Sequence, residues 1–178
     1  MRLHHALTVA VLVSIPLLNG CRVAPAQRYS DPAELPDAWR LHAERTDFVE
    51  TGTYNEAVAF CERLAAASPY VRYMTFGISG EGRPLPLLVV SKQRAFSPER
   101  RAALVARGPA RPLVLIQNCI HAGECEGKDA TFMLVRDMLL AARCPAVLER
   151  VDLLVMPIFN ADGHERRSPF NRINQNGP

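Results

Sequence analysis

Apolar residues open the chain as a continuous run. Ala6 to Leu18 follow the basic start Met1-Arg2-Leu3-His4-His5 and are broken at Pro16 and Asn19-Gly20. A membrane-crossing helix needs roughly 20 consecutive apolar residues, so this run reads as an export signal over residues 1–21. From Arg22 to Pro36 hydrophobic periodicity vanishes and Pro and Ala accumulate, which predicts a linker over 22–38 and ordered structure from Trp39. Ala57, Phe60, Cys61 and Leu64 then recur at helical spacing behind Thr53-Tyr54-Asn55-Glu56. The Thr-x-x-Glu string lets a hydroxyl and a carboxylate satisfy free amides at a helix start, so a helix is predicted from Tyr54 to Ala67, ended by Ser68-Pro69.

Two β-branched and apolar runs, Val71 to Ile78 and Leu85 to Val90, flank Ser79-Gly80-Glu81-Gly82-Arg83-Pro84 and predict a hairpin. Ser97-Pro98-Glu99 starts a short helix that stops by Gly108. Leu113-Val114-Leu115-Ile116 is wholly apolar, the pattern of a central strand covered on both faces. An apolar stripe of Phe132, Met133, Val135, Met138 and Leu139 predicts a helix from Lys128 to Ala142, and Val151 to Phe159 a second buried strand. Strand, helix and strand at this spacing form a parallel crossover, which leaves both carboxyl ends on one edge. Asn118 to Glu124 and Asn160 to Gly163 are thereby expected side by side.

Composition fits one globular domain, with 48% hydrophobic and 22% charged residues. Its 21 basic and 18 acidic residues form no block of like charge, which argues against a nucleic-acid partner. The export signal offers two processing patterns. Leu18-Asn19-Gly20-Cys21 matches a lipoprotein signal in which Cys21 is lipidated and attaches the product to a membrane, and Ala24-Pro25-Ala26 matches ordinary cleavage. An exported, periplasmic or cell-envelope product is expected. Cys61, Cys119, Cys125 and Cys144 remain, with three pairings open to them besides isolated thiols.

Ligands of open α/β sheets bind outside the carboxyl ends of strands. At that edge His121 and Glu124 stand three apart beside Gly123, a spacing that lets an imidazole nitrogen and a carboxylate oxygen approach one cation, zinc being the natural choice. Ordinary surface or turn residues produce the same bare spacing. Cys119 and Cys125 flank His121, and Cys119 and His121 would point the same way on a strand, so a Cys-His-Cys structural site stands as an alternative to a disulfide or two free thiols. Glu126 and Asp129 are read as helix-start charge, and Asn160 and Asp162 as the closure of a turn.

The strings Ser79-Gly80-Glu81-Gly82-Arg83-Pro84-Leu85, Asn118-Cys119-Ile120-His121-Ala122-Gly123-Glu124 and Pro157-Ile158-Phe159-Asn160-Ala161-Asp162-Gly163 are similar, in order and spacing, to the amino-terminal half of the zinc carboxypeptidase A/B-like family. The likeness runs from Trp39 to Pro178, and the tail from His164 to Pro178 resembles an exported bacterial branch. It implies an α/β fold with a mixed β-sheet sandwiched between helices, and one catalytic zinc ion. His121 would be the first ligand and Glu124 the second, with a third, a histidine, farther downstream than Pro178. The family's oxyanion arginine, its Asn-Arg pair and its general-base glutamate have no counterpart here, so no catalytic residue is assigned within the chain. Ala161 replaces a proline common in the family.

The resemblance therefore implies a metallocarboxypeptidase, removing carboxy-terminal residues from peptide substrates, present over residues 39–178 as an incomplete domain that is inactive alone. Two alternatives stand beside it: a non-catalytic envelope lipoprotein that binds peptide or cell-wall material, and an amide hydrolase of the same fold acting on cell-wall peptides. His164 follows the Asn-x-Asp-Gly turn where the family has a structural residue, His42 is read as exposed, and Arg172 as a turn-bracing or solvent arginine.

Overall fold

A computed structural model describes residues 34–168 apart from 110 and 142. The expected export signal with Cys21, the part of the expected linker before residue 34 and the tail containing Arg172 lie outside the described residues. A 3-10 turn at Asp37–Trp39 and a short helix α1 (His42–Arg45) lead into α2 (Tyr54–Ala67). The expected cap is present in full: Glu56 N–H donates to Thr53 Oγ1 at 3.2 Å and Thr53 N–H donates to Glu56 Oε2 at 2.7 Å. Ser68 ends the helix with extended backbone, as the ring of Pro69 requires of the residue before it. Tyr54, Ala57, Phe60, Cys61 and Leu64 are the buried face.

β1 (Val71–Ile78) pairs antiparallel with β2 (Pro84–Val90), in register from Val71 opposite Val90 to Ile78 opposite Pro84, with one irregularity between Thr75 and Gly77. Their turn closes through Ser79 N–H to the Arg83 carbonyl at 2.8 Å, and Gly82 supplies the positive φ of 82° that the turn needs. After α3 (Pro98–Val105), capped by Ser97, come β3 (Leu113–Gln117), α4 (Glu126–Leu140), α5 (Pro145–Arg150), β4 (Asp152–Met156) and α6 (Ala161–Glu165). Sheet order is β1-β2-β4-β3, with β2 and β4 antiparallel and β3 and β4 parallel. The crossover expected around α4 is therefore realised. Leu88, Val89, Val90 and Ser91 are buried in succession, and neighbours on a strand face opposite ways, so both faces of the sheet centre are covered.

Placement of β3 differs from the expectation. It is the edge strand of the described sheet, and Leu113, Val114 and Leu115 are 40–52% exposed, whereas β2 and β4 hold the centre. An unbroken apolar run records that a strand is made for cover; the order of its neighbours is set by the connections, which no run of side chains encodes. α4 begins two residues earlier than expected, and its buried side includes Lys128, Asp129, Arg136 and Asp137 beside the predicted Phe132, Val135 and Met138. β4 ends at Met156, after which Asn160 caps α6 through its Oδ1, which accepts from Gly163 N–H at 2.9 Å.

Candidate metal centre

The parallel β3–β4 pair continues past its last rung. Asn118 N–H donates to the Met156 carbonyl, Phe159 N–H to the Asn118 carbonyl and Asn160 N–H to the Cys119 carbonyl, at 2.9–3.0 Å. The two post-strand segments are thus stitched together at one sheet edge, as the crossover demanded. Cys119 turns the chain out of the strand with a φ of 50°, and Gly123 has a φ of 82°, a conformation that favours glycine. The turn between them is closed by Glu124 N–H to the His121 carbonyl at 3.3 Å. It places His121 Nδ1 2.8 Å from Glu124 Oε2, with 65% and 46% of the two side chains exposed.

One nitrogen and one carboxylate oxygen brought this close at a solvent-facing turn are a donor set that suits zinc. They form a pair: the group of three or more metal-type side chains found among the described residues is a different one, Cys119, Cys125 and His164. Glu126 and Asp129 sit in the first turn of α4, and Asp129 Oδ2 accepts from Thr51 Oγ1 at 2.6 Å, so its role is to tie α4 to the segment before α2. His42, at the surface, bonds Glu50 Oε2 at 2.9 Å.

The other two sequence motifs meet each other here. Asp162 Oδ1 accepts from Ser79 Oγ at 2.7 Å and from an Arg83 nitrogen at 2.6 Å, while Oδ2 accepts from Glu81 N–H at 2.9 Å. Desolvation works to raise the Asp162 carboxyl, and these donors outweigh it and hold the group below the usual carboxylate range. The hairpin turn and the turn after β4 are thus one polar unit, and the turn after β4 is bonded to the loop that carries His121 and Glu124.

Cys119 and His121 do not point the same way. Cys119 is buried and His121 faces solvent, because the left-handed residue at 119 ends the strand alternation on which that expectation rested. All four cysteines among the described residues are free thiols, with Cys61, Cys119 and Cys125 buried and Cys144 exposed. In place of His121, His164 joins the two cysteines. The shared hydrogen bond between the thiols lowers Cys125 and raises Cys119, with the His164 imidazole helping to lower Cys125 and burial raising both. Separated from Cys125 by the whole of α4, α5 and β4, His164 offered no short spacing by which sequence could have joined it to them.

Gly127 lets the loop that carries His121 and Glu124 pack against α4. A Cβ there would lie 2.7 Å from Asn118 Oδ1, and Asn118 is fixed by its backbone bonds and by its amide on Thr131 Oγ1 at 3.1 Å. Gly127→Ala gains helix propensity of about 1 kcal/mol but loses to the clash. The expected net change is a destabilisation of about 1–2 kcal/mol, read from the urea midpoint; a stabilised variant would show that Asn118 moves freely.

Residues 57–177 match the zinc carboxypeptidase (peptidase M14) family. Carboxypeptidase 2 of Trichophyton rubrum is 30% identical over 164 residues, which cover 89% of this chain and 28% of that protein. Carboxypeptidase D of Mus musculus is 31% identical over 115 residues, covering 59% of this chain and 8% of the relative. Among solved structures, carboxypeptidase A from Helicoverpa armigera superposes with a TM-score of 0.53 at 22% identity, over 62% of this chain and 25% of that one, a likeness of fold. The chain spans less than a third of the length of these relatives. With a family match over more than half its residues and the same α/β fold, this chain belongs to the zinc carboxypeptidase family.

Proposed function

We propose that residues 39–178 are the amino-terminal part of a zinc-dependent metallocarboxypeptidase that removes carboxy-terminal residues from peptides, and that His121 and Glu124 are two of the ligands to its one zinc ion. The observation that carries this reading is their convergence at 2.8 Å on the carboxyl-end edge of a parallel strand pair, in a chain of this family. His121 would contribute a ring nitrogen and Glu124 a carboxylate, held in register by the Gly123 turn and by the bonds from Asn118 and Cys119 to the segment after β4. Zinc held there supplies Lewis-acid polarisation of a peptide carbonyl and activation of water. A catalytic zinc takes three protein ligands, so the reading requires a third from sequence beyond Pro178. Export, with residues 1–21 as signal, 22–38 as linker and a lipid on Cys21, would place the substrate peptides in the periplasm or cell envelope.

The first test reads the coding DNA past Pro178. The expected result is an in-frame continuation with a downstream histidine, an Asn-Arg pair and a late glutamate; a stop codon directly after Pro178 would overturn the enzyme reading and leave a peptide-binding protein. In the continued protein, His121→Ala should lower kcat/KM at least ~1,000-fold, a small part of the acceleration enzymes achieve, and should remove one equivalent of zinc. Unchanged zinc content and activity would take His121 out of the site.

A further inference from the structure

We propose that Cys119, Cys125 and His164 form a second metal site, buried and separate from His121 and Glu124, that takes a divalent thiophilic cation of the zinc class. One donor atom from each of the three side chains lies within 4.8 Å of the other two, and all three residues are buried. The histidine supplies the independent sign of a ligand. Its side chain is wholly buried, its Nδ1 is 2.8 Å from Glu165 Oε1, and its Nε2 has no hydrogen-bond partner. A carboxylate can only accept, so Nδ1 carries the proton, and in the neutral imidazole Nε2 presents a lone pair. Leaving a buried polar atom unpaired is costly and uncommon. A metal ion beside Nε2 removes that cost, and a carboxylate behind the other ring nitrogen is the arrangement by which metal-ligating histidines are oriented. Glu165 is itself held, since its Oε1 accepts from Tyr54 N–H at 2.9 Å.

Charge selects the ion. On binding, the two thiols release two protons to solvent, and two thiolates with a neutral imidazole balance a dication, giving a cluster of zero net charge. A monovalent ion would leave one negative charge in the interior, where unpaired charge is expensive. The nearby Lys128 does not offset it, because its ammonium is already paired with Asp129 Oδ1 at 2.5 Å. Sulfur and imidazole donors suit zinc, and with three protein ligands a water would take its fourth position. A Cys119–Cys125 disulfide is the competing state of the same thiols, and it would leave Nε2 without a partner. Bound metal would tie α6, distant in sequence, to both ends of the loop between β3 and α4. The loop bearing His121 and Glu124 lies between the two cysteines, so this ion would brace it.

The test loads the reduced, metal-stripped full chain with Co²⁺ and records its absorption. We expect one cobalt with a sulfur-to-cobalt charge-transfer band, lost in Cys125→Ser and in His164→Gln and retained in His121→Ala. Glu165→Gln, which keeps an acceptor for Tyr54, should retain the band and weaken binding roughly 10- to 100-fold. Far-ultraviolet circular dichroism checks that each variant folds, and X-ray absorption of the wild-type cobalt form, which needs no variant, should show two sulfur ligands. Absence of sulfur ligation in the reduced wild type overturns the proposal. So does loss of the band in His121→Ala, which would mean one shared centre. Because the readout follows sulfur ligands alone, its failure is distinct from failure of the peptidase reading.

Discussion

Arg136→Ala is expected to destabilise the fold by about 3–5 kcal/mol, the usual cost of removing one partner from a buried charge network. Arg136 is 2% exposed within α4, and its guanidinium meets three demands at once. Nε donates to Asp137 Oδ1 at 2.8 Å, and Nη1 donates to the Trp39 carbonyl at 2.9 Å and to Glu44 Oε2 at 2.5 Å. Removing it strands two carboxylates and a carbonyl around a space that water reaches poorly. Burial works to raise the Glu44 carboxyl, yet the bonds from Arg136 and from Leu41 N–H hold it below the ordinary carboxylate range. That is the signature of a pair whose geometry outweighs its desolvation. The same contacts fix Trp39 and α1 to α4, so the variant should lose protection from proteolysis around Trp39 and α1 before it unfolds globally. Urea unfolding of the wild type and variant decides the matter: a difference below about 1 kcal/mol would place Arg136 among pairs that are effectively solvated.

The network was invisible in the sequence for a physical reason. Periodicity separates apolar from polar positions, and by that rule Arg136, Asp137, Lys128 and Asp129 belong outside. They are inside because each finds a partner that is distant in sequence or immediately adjacent: Glu44 for Arg136, Thr51 for Asp129. Local signals fared differently. The α2 cap, the hairpin turn and the parallel crossover depend on spacings of a few residues or on the handedness of one connection, and all are present where the sequence placed them. The His121–Glu124 pair is legible for the same reason, since one short turn makes it. What spacing could not show was that Cys119 breaks strand alternation with a left-handed residue. Facing a different way from His121, it meets His164 from the far side of the crossover. Strand order was likewise beyond an apolar pattern, which is why β3 lies at the edge and β4 inside it.

Phe132→Ala should cost about 3–5 kcal/mol by a different mechanism, the loss of apolar burial together with the cavity left behind. Phe132 is 1% exposed, and its ring lies 5.1 Å from that of Phe60, which in turn meets Trp39 edge-on at 6.1 Å. This aromatic chain joins α4 to α2 and to the turn at Trp39. Collapse into the space is hindered, because Phe60 belongs to the capped α2 and the neighbouring Val135 is itself wholly buried. Phe132→Leu, which keeps much of the volume, should recover a large part of the loss. An alanine variant within about 1 kcal/mol of wild type would show that α2 and α4 close the gap. Phe132 and Arg136 are one helical turn apart and both anchor α4 to the segment around Trp39. The double variant is therefore expected to lose less than the sum of the single losses, since either substitution alone already frees the contact that the other would break.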